Sequence, residues 1–115
     1  MNSRAKGGRT FRKAVAYAYT FPNTVVIPLY QVSRWAQPQP FDAIVFRAGY
    51  WPRLVEVRSN AWGTGKPQTK QLAGLPGEGF YKQLWRFSDG LFIPDIRQWN
   101  GTAWIGTDKP WDEVG

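Results

Sequence analysis

Cysteine and histidine are both absent from the 115 residues. Without Cys there are no disulfides and no thiolate nucleophile, and without His a zinc centre loses its usual ligands. Ser-His-Asp and Cys-His arrangements are excluded together, so acid-base chemistry falls to carboxylates, Lys, Tyr and metal-bound water. Long apolar runs are missing as well. The longest nearly apolar stretch, Ala14 to Phe21, is far short of the ~20 residues a membrane-spanning helix requires. The basic N-terminus followed by Ala and Tyr is a poor signal peptide, so the chain reads as intracellular: cytoplasmic, nucleoid-associated or working in an infected host cell.

Acidic residues are scarce and unevenly placed. Fifteen Lys and Arg face eight Asp and Glu, a net charge of +7. Residues 1 to 41 carry Arg4, Lys6, Arg9, Arg12, Lys13 and Arg34 without one acid, and every carboxylate lies from Asp42 onward. A polyanion, nucleic acid above all, is the simplest partner for such a surface, although a basic solubilising surface has the same signature. Hydrophobic residues at 43% and aromatics at 17% supply enough apolar surface for one packed domain.

Residues 1–9, with two glycines and three cations, read as a basic flexible arm before a single domain over 10–115. Thr10 is placed to cap a helix from Phe11 to about Tyr19, with Phe11, Val15 and Ala18 on one face. Phe21-Pro22-Asn23 ends it. Thr24 to Leu29 reads as a strand, with Pro28 pointing to a sheet edge or bulge. After a polar loop over Gln31–Pro40, Phe41–Phe46 and Arg53–Arg58 read as strands of a hairpin turning at Ala48–Pro52. Asn60–Lys66 is a glycine-containing loop, and Pro67 opens a short helix over Gln68 to about Leu75, ended by Pro76–Gly79. Gln83–Phe87 is a further strand and Ser88–Gly90 a turn; Pro94–Trp99 with Thr102–Ile105 make a last hairpin turning at Asn100-Gly101. The expectation is an α/β fold without internal repeats.

Asp42, at the start of one strand, and Glu56, inside the next, are the residues that point to chemistry. Positions 56 and 58 face one side of a strand, so Arg58 accompanies Glu56. A carboxylate among Leu54, Val55 and Val57 costs too much to bury alone; it should be paired or hold a cation. If the hairpin register sets Asp42 beside Glu56, the two oxygen ligands suit Mg²⁺ or Mn²⁺. A plain cross-strand Glu-Arg pair gives the same pattern without chemistry.

Pro40-Phe41-Asp42, followed after a turn by Leu54-Val55-Glu56-Val57-Arg58-Ser59, resembles the core of the PD-(D/E)XK nuclease superfamily, most of all its archaeal-type Holliday-junction resolvases. Ser3-Arg4-Ala5-Lys6-Gly7, the helix with Gln68, Lys70 and Gln71, and the strand with Trp85-Arg86-Phe87 extend the likeness over about residues 3 to 105. The resemblance implies a restriction-endonuclease-like core with a central mixed β-sheet flanked by helices, to which this chain adds a C-terminal β-hairpin. It further implies a homodimer that hydrolyses branched DNA with Mg²⁺ or Mn²⁺. Asp42, Glu56 and the Val57 carbonyl would be metal ligands, and Asp42, Glu56 and Arg58 the catalytic set. Arg4, Lys6, Arg9, Arg12, Lys13, Ser33, Arg34, Lys66 and Lys70 would contact DNA.

Two departures from that pattern stand out. Arg58 occupies the usual Lys position; it cannot act as a general base, yet it can orient a phosphate and offset developing charge. The family's early helix normally offers a Glu near Phe11, and none is present. Gln31, Gln68 or Gln71 could stand in as a neutral donor, or water could fill the gap. A nuclease-fold binder that no longer cleaves and a basic structural protein are the alternatives. Trp35 and Trp62 are candidate stacking platforms for bases, whereas Trp85, Trp99 and Trp104 read as packing residues. Gly63–Lys66 is too short for a P-loop and reads as a backbone-contact loop.

Overall fold

The computed structural model describes residues 3–29 and 41–112, with side chains from Gly8 onward. Its elements follow the order helix, three strands, helix, three strands: α1 (Ser3–Ala18), β1 (Thr24–Pro28), β2 (Ala43–Arg47), β3 (Arg53–Ser59), α2 (Pro67–Gly74), β4 (Tyr81–Phe87), β5 (Asp95–Trp99) and β6 (Trp104–Thr107). The strands form one mixed sheet in sequence order. Every neighbouring pair is antiparallel except β3 and β4, which run parallel across α2. A parallel neighbour needs a crossover, and α2 supplies it.

Alternation along β3 assigns the two faces. Val55 joins a core with Ala14, Tyr17 and Ala18 of α1 and with Trp85 and Phe87 of β4. Leu54 joins a second core with Leu72 of α2 and Leu84 of β4. Successive side chains of a strand point to opposite faces, so the helices cover opposite sides of the sheet and Glu56 and Arg58 lie on the α2 side. The α1 side carries a buried polar group too. The fully buried Arg53 guanidinium donates to the Pro110 and Trp51 carbonyls at 2.9 and 2.5 Å, and lies 4.4 and 4.9 Å from the Tyr81 and Trp111 ring centroids. On the α2 side, the Lys82 ammonium donates to the Ala73 carbonyl at 2.8 Å and to the Leu75 carbonyl, satisfying oxygens that the end of α2 leaves free.

Several sequence expectations need correction. Helix α1 starts at Ser3 and not at Phe11, so residues 3–9 belong to it and Thr10 is internal. Arg4, Ala5 and Lys6 are good helix formers that carry the helix through the Gly7-Gly8 pair, and the Thr10 hydroxyl bonds the Ser59 hydroxyl at 2.6 Å instead of capping. The buried stripe is Thr10, Ala14, Tyr17 and Ala18, while Phe11 and Val15 are half-buried. Phe41 and Asp42 precede β2, and Tyr81 and Lys82 belong to β4. Pro28 closes edge strand β1 opposite Ala43, where its missing N–H is tolerated. Trp85 is 1% exposed, and the Trp99 and Trp104 rings meet at 5.3 Å across the last hairpin, so all three pack as the sequence suggests.

Candidate active site

Asp42 and Glu56 lie where the β2–β3 ladder ends, close enough for their charges to interact. The last pair in register is Ala43 with Val55. The Asp42 amide also donates to the Val55 carbonyl, at 2.8 Å, while the Asp42 carbonyl accepts from the Leu29 amide at 3.0 Å, so the regular ladder breaks at Asp42 as in a bulge. Its side chain then replaces the missing strand: the Val57 amide donates to the Asp42 carboxylate at 2.7 Å. A residue's N–H and C=O point to the same edge of a strand, so the Val57 carbonyl lies on the Asp42 side, where β2 has already turned away.

Glu56 is 4% exposed. One of its oxygens takes a charge-assisted hydrogen bond from Arg58 Nη2, and the other lies 3.1 Å from the Thr69 hydroxyl. Thr69, fully buried in the first turn of α2, accepts from Arg58 Nη2 at 2.7 Å, and its single proton serves either Glu56 or the Gly63 carbonyl, also at 3.1 Å. Gly63 holds this turn at φ +61, and a Cβ there would press on Lys66 Cδ at 3.2 Å. Pro67 at the start of α2 and the buried Leu72 fix the helix on the sheet, which sets Thr69 over Glu56.

Both acids hold their protons more tightly than ordinary carboxylates. Burial raises the Asp42 pKa most, against the Val57 amide and the Arg58 charge, which lower it. Burial also leads for Glu56; Arg58 and Thr69 oppose it, and the negative charge of Asp42 adds to the rise. Two acids and one guanidinium therefore share one electrostatic environment. Arg58 Nε is buried and has no hydrogen-bond partner among the described residues.

The other sequence candidates divide. Lys66 stands at the start of α2 and Lys70 is exposed on it, so both flank the site. Arg9 and Arg12 are exposed and Lys13 is half-buried on α1, which packs on the opposite face of the sheet. Ser33, Arg34, Gln31 and Trp35, and the side chains of Arg4 and Lys6, lie outside the described residues. Gln68 and Gln71 are exposed, and the residue of α2 that reaches Glu56 is Thr69. Helical geometry explains the substitution: Thr69 and Leu72 are three apart and share the sheet-facing side. The Trp62 ring lies 4.5 Å from the Arg86 guanidinium and 4.1 Å from that of Arg97, on the α2 face of the sheet. Arg86 pairs in register with Arg58 and bonds Asp95 at 2.6 Å. Sequence reading passed over Arg86 and Arg97, whose alternation with Trp85 and Gln98 puts them on the α2 face.

Compared with family models, curated proteins and solved structures, the chain matches none. The site itself offers oxygen donors only. Hard divalent cations favour such donors, but both Glu56 oxygens are already engaged, by Arg58 and by Thr69. Among the described residues no group of three or more His, Cys, Asp or Glu gathers.

Proposed function

We propose that this protein is a metal-dependent, structure-selective DNA endonuclease with a restriction-endonuclease-like core, acting on branched DNA in the manner of a Holliday-junction resolvase and working as a homodimer. The observation that carries the reading is the Asp42 carboxylate bonded to the amide of Val57, the residue after Glu56, with Arg58 paired to Glu56 and its charge felt by Asp42. The order of elements supports it: a helix, three antiparallel strands, a crossover helix and a parallel strand, with the acids at the β2–β3 edge.

Asp42, Glu56 and the Val57 carbonyl would hold Mg²⁺ or Mn²⁺, whose contribution is to polarise a phosphate oxygen and acidify a bound water. The chain's own residues do the rest. The Arg58 guanidinium would offset negative charge that builds on the phosphoryl oxygens. Thr69 holds Arg58 and Glu56 in one geometry, and Glu56 would exchange one of its two hydrogen bonds for the cation. Lys66 and Lys70 attract the flanking backbone, which gives steep salt dependence and little sequence preference.

A second reading, a nuclease-fold DNA binder that does not cleave, is favoured by one contact: Arg58 already neutralises Glu56. The two separate in a single assay. A labelled four-way junction and a matched duplex are incubated with protein in Mg²⁺, Mn²⁺ or EDTA. The nuclease reading expects junction cleavage with metal, lost in Asp42→Asn and Glu56→Gln while binding persists. Tight binding with no product under any metal supports the second reading and overturns the first.

A further inference from the structure

The connection between β4 and β5 ends in three consecutive apolar residues aimed at solvent. Leu91 is 56% exposed, and Phe92 and Ile93 are each 72% exposed. Isolated exposed apolar residues are ordinary, but three in a row at one tip are not scatter. The base of the connection is firmly held. The Asp89 amide donates to the Asn60 side-chain oxygen at 3.0 Å, Asn60 Nδ2 donates to the Asp89 carboxylate at 3.1 Å, and the Leu91 amide donates to the Ser88 carbonyl at 3.0 Å. Pro94 is buried behind the tip, and the Arg86–Asp95 pair closes the strands below it. The apolar tip therefore stands on a rigid support, which lowers the ordering cost of using it.

Its surroundings are cationic and belong to the same end of the sheet as the acids. Phe87, at the end of β4, pairs with Ser59, one residue beyond Arg58. Lys13 of α1 holds its ammonium 5.3 Å from the Phe92 ring centroid, and Arg9 and Arg12 are exposed on the same helix. The nearby acids Asp89 and Asp95 are engaged by Asn60 and Arg86. Three side chains fall well short of the ~800 Å² per partner of a standard protein interface, and the basic helix α1 beside the tip disfavours a second copy of this basic chain.

We propose that Leu91-Phe92-Ile93 is a wedge that enters the base stack of DNA at a branch point, while the cations of α1 hold the adjacent phosphates. This rests on the reading of DNA as the partner, and not on cleavage. Apolar side chains of these types part base steps, at least cost where the stack is already interrupted. A tip of this kind therefore discriminates a branch from continuous duplex without reading sequence. Lys13, Arg9 and Arg12, although on the face opposite Glu56, then act at the rim shared by both faces.

The test places 2-aminopurine, which brightens on unstacking, beside the crossover of a four-way junction, and separately inside a duplex, in EDTA. Wild-type protein is expected to raise the junction signal and leave the duplex signal flat. Phe92→Ala/Ile93→Ser, at positions exposed enough to leave folding intact, removes the rise and weakens junction binding about tenfold while duplex affinity is retained. Junction binding by the wild type with no fluorescence rise overturns the wedge and leaves DNA binding standing. Failure of the wild type to bind either DNA sinks the parent reading as well. A variant that changes oligomeric state with its fluorescence rise intact makes the tip a subunit contact, and also overturns the proposal.

Discussion

The Asp42 carboxylate accepts a hydrogen bond at 2.7 Å from the amide of Val57, the residue beside Glu56 in β3. One acid is thereby tied to the backbone that carries the other. Such a pair is costly without a counter-charge, because both groups are removed from water and repel each other. Asp42→Asn keeps an acceptor for the Val57 amide and deletes one charge. It should therefore raise the Tm of metal-free protein by a few degrees, while Mg²⁺ stabilises the wild type alone. Thermal melts of both proteins with Mg²⁺ and with EDTA check this. A ligand at 100 times its Kd adds ~2.7 kcal/mol, so the metal-induced shift is readily seen.

The pH dependence follows from the same two raised carboxylates. In the window between the ordinary carboxylate range and the raised values, the folded chain binds more protons than the unfolded chain, so stability falls as pH rises. The penalty is absent below the ordinary range and complete above the raised values. Metal binding needs both acids ionised and should show the opposite trend, strengthening with pH through that window. Melting and Mg²⁺ titration across mildly acid pH, in wild type and Asp42→Asn, should give opposite slopes in the wild type and a flattened melting profile in the variant.

Much of this site was legible in the sequence, for reasons tied to strand geometry. Asp42 and Glu56 stood out because a two-residue period and a short hairpin bring the start of one strand to the end of the next, and Arg58 follows from the same period. Thr69 was not legible: a Thr in the first turn of a helix ordinarily reads as a propensity choice, and only the docking of α2 directs it to Glu56. Arg53 and Gln83 were missed for a related reason. Their burial depends on Pro110 and Trp111, far along the chain, whose carbonyl and ring satisfy them. The start of α1 was misplaced because the Gly7-Gly8 pair outweighed the helix-forming residues around it, a contest that local propensity alone decides poorly.

Thr69 provides a prediction independent of catalysis. Thr69→Val preserves shape but leaves Glu56 and Arg58 each short of a buried partner, and should cost about 1–3 kcal/mol. Thr69→Ser keeps the hydroxyl and should lose much less. Urea unfolding of the three proteins distinguishes them; equal losses in Val and Ser variants would mean that the hydroxyl contributes nothing.

Arg58 should separate charge from geometry. Arg58→Ala strands a buried Glu56 and should destabilise by about 3–5 kcal/mol near neutral pH. Arg58→Lys restores the charge, and since both bonds come from the single Nη2 nitrogen, an ammonium with three protons can replace it, so the variant should recover most of the stability. Denaturant midpoints for both variants, and cleavage of a four-way junction by Arg58→Lys, supply the comparison.

The most direct measurement is a Mn²⁺ titration followed by electron paramagnetic resonance, which counts bound cations without requiring DNA or turnover. One Mn²⁺ per chain is the predicted stoichiometry, displaced by Mg²⁺ and lost in both Asp42→Asn and Glu56→Gln while circular dichroism stays that of the wild type. A wild-type chain that binds no cation, or variants that bind it equally well, would contradict the assignment of positions 42 and 56 as its ligands.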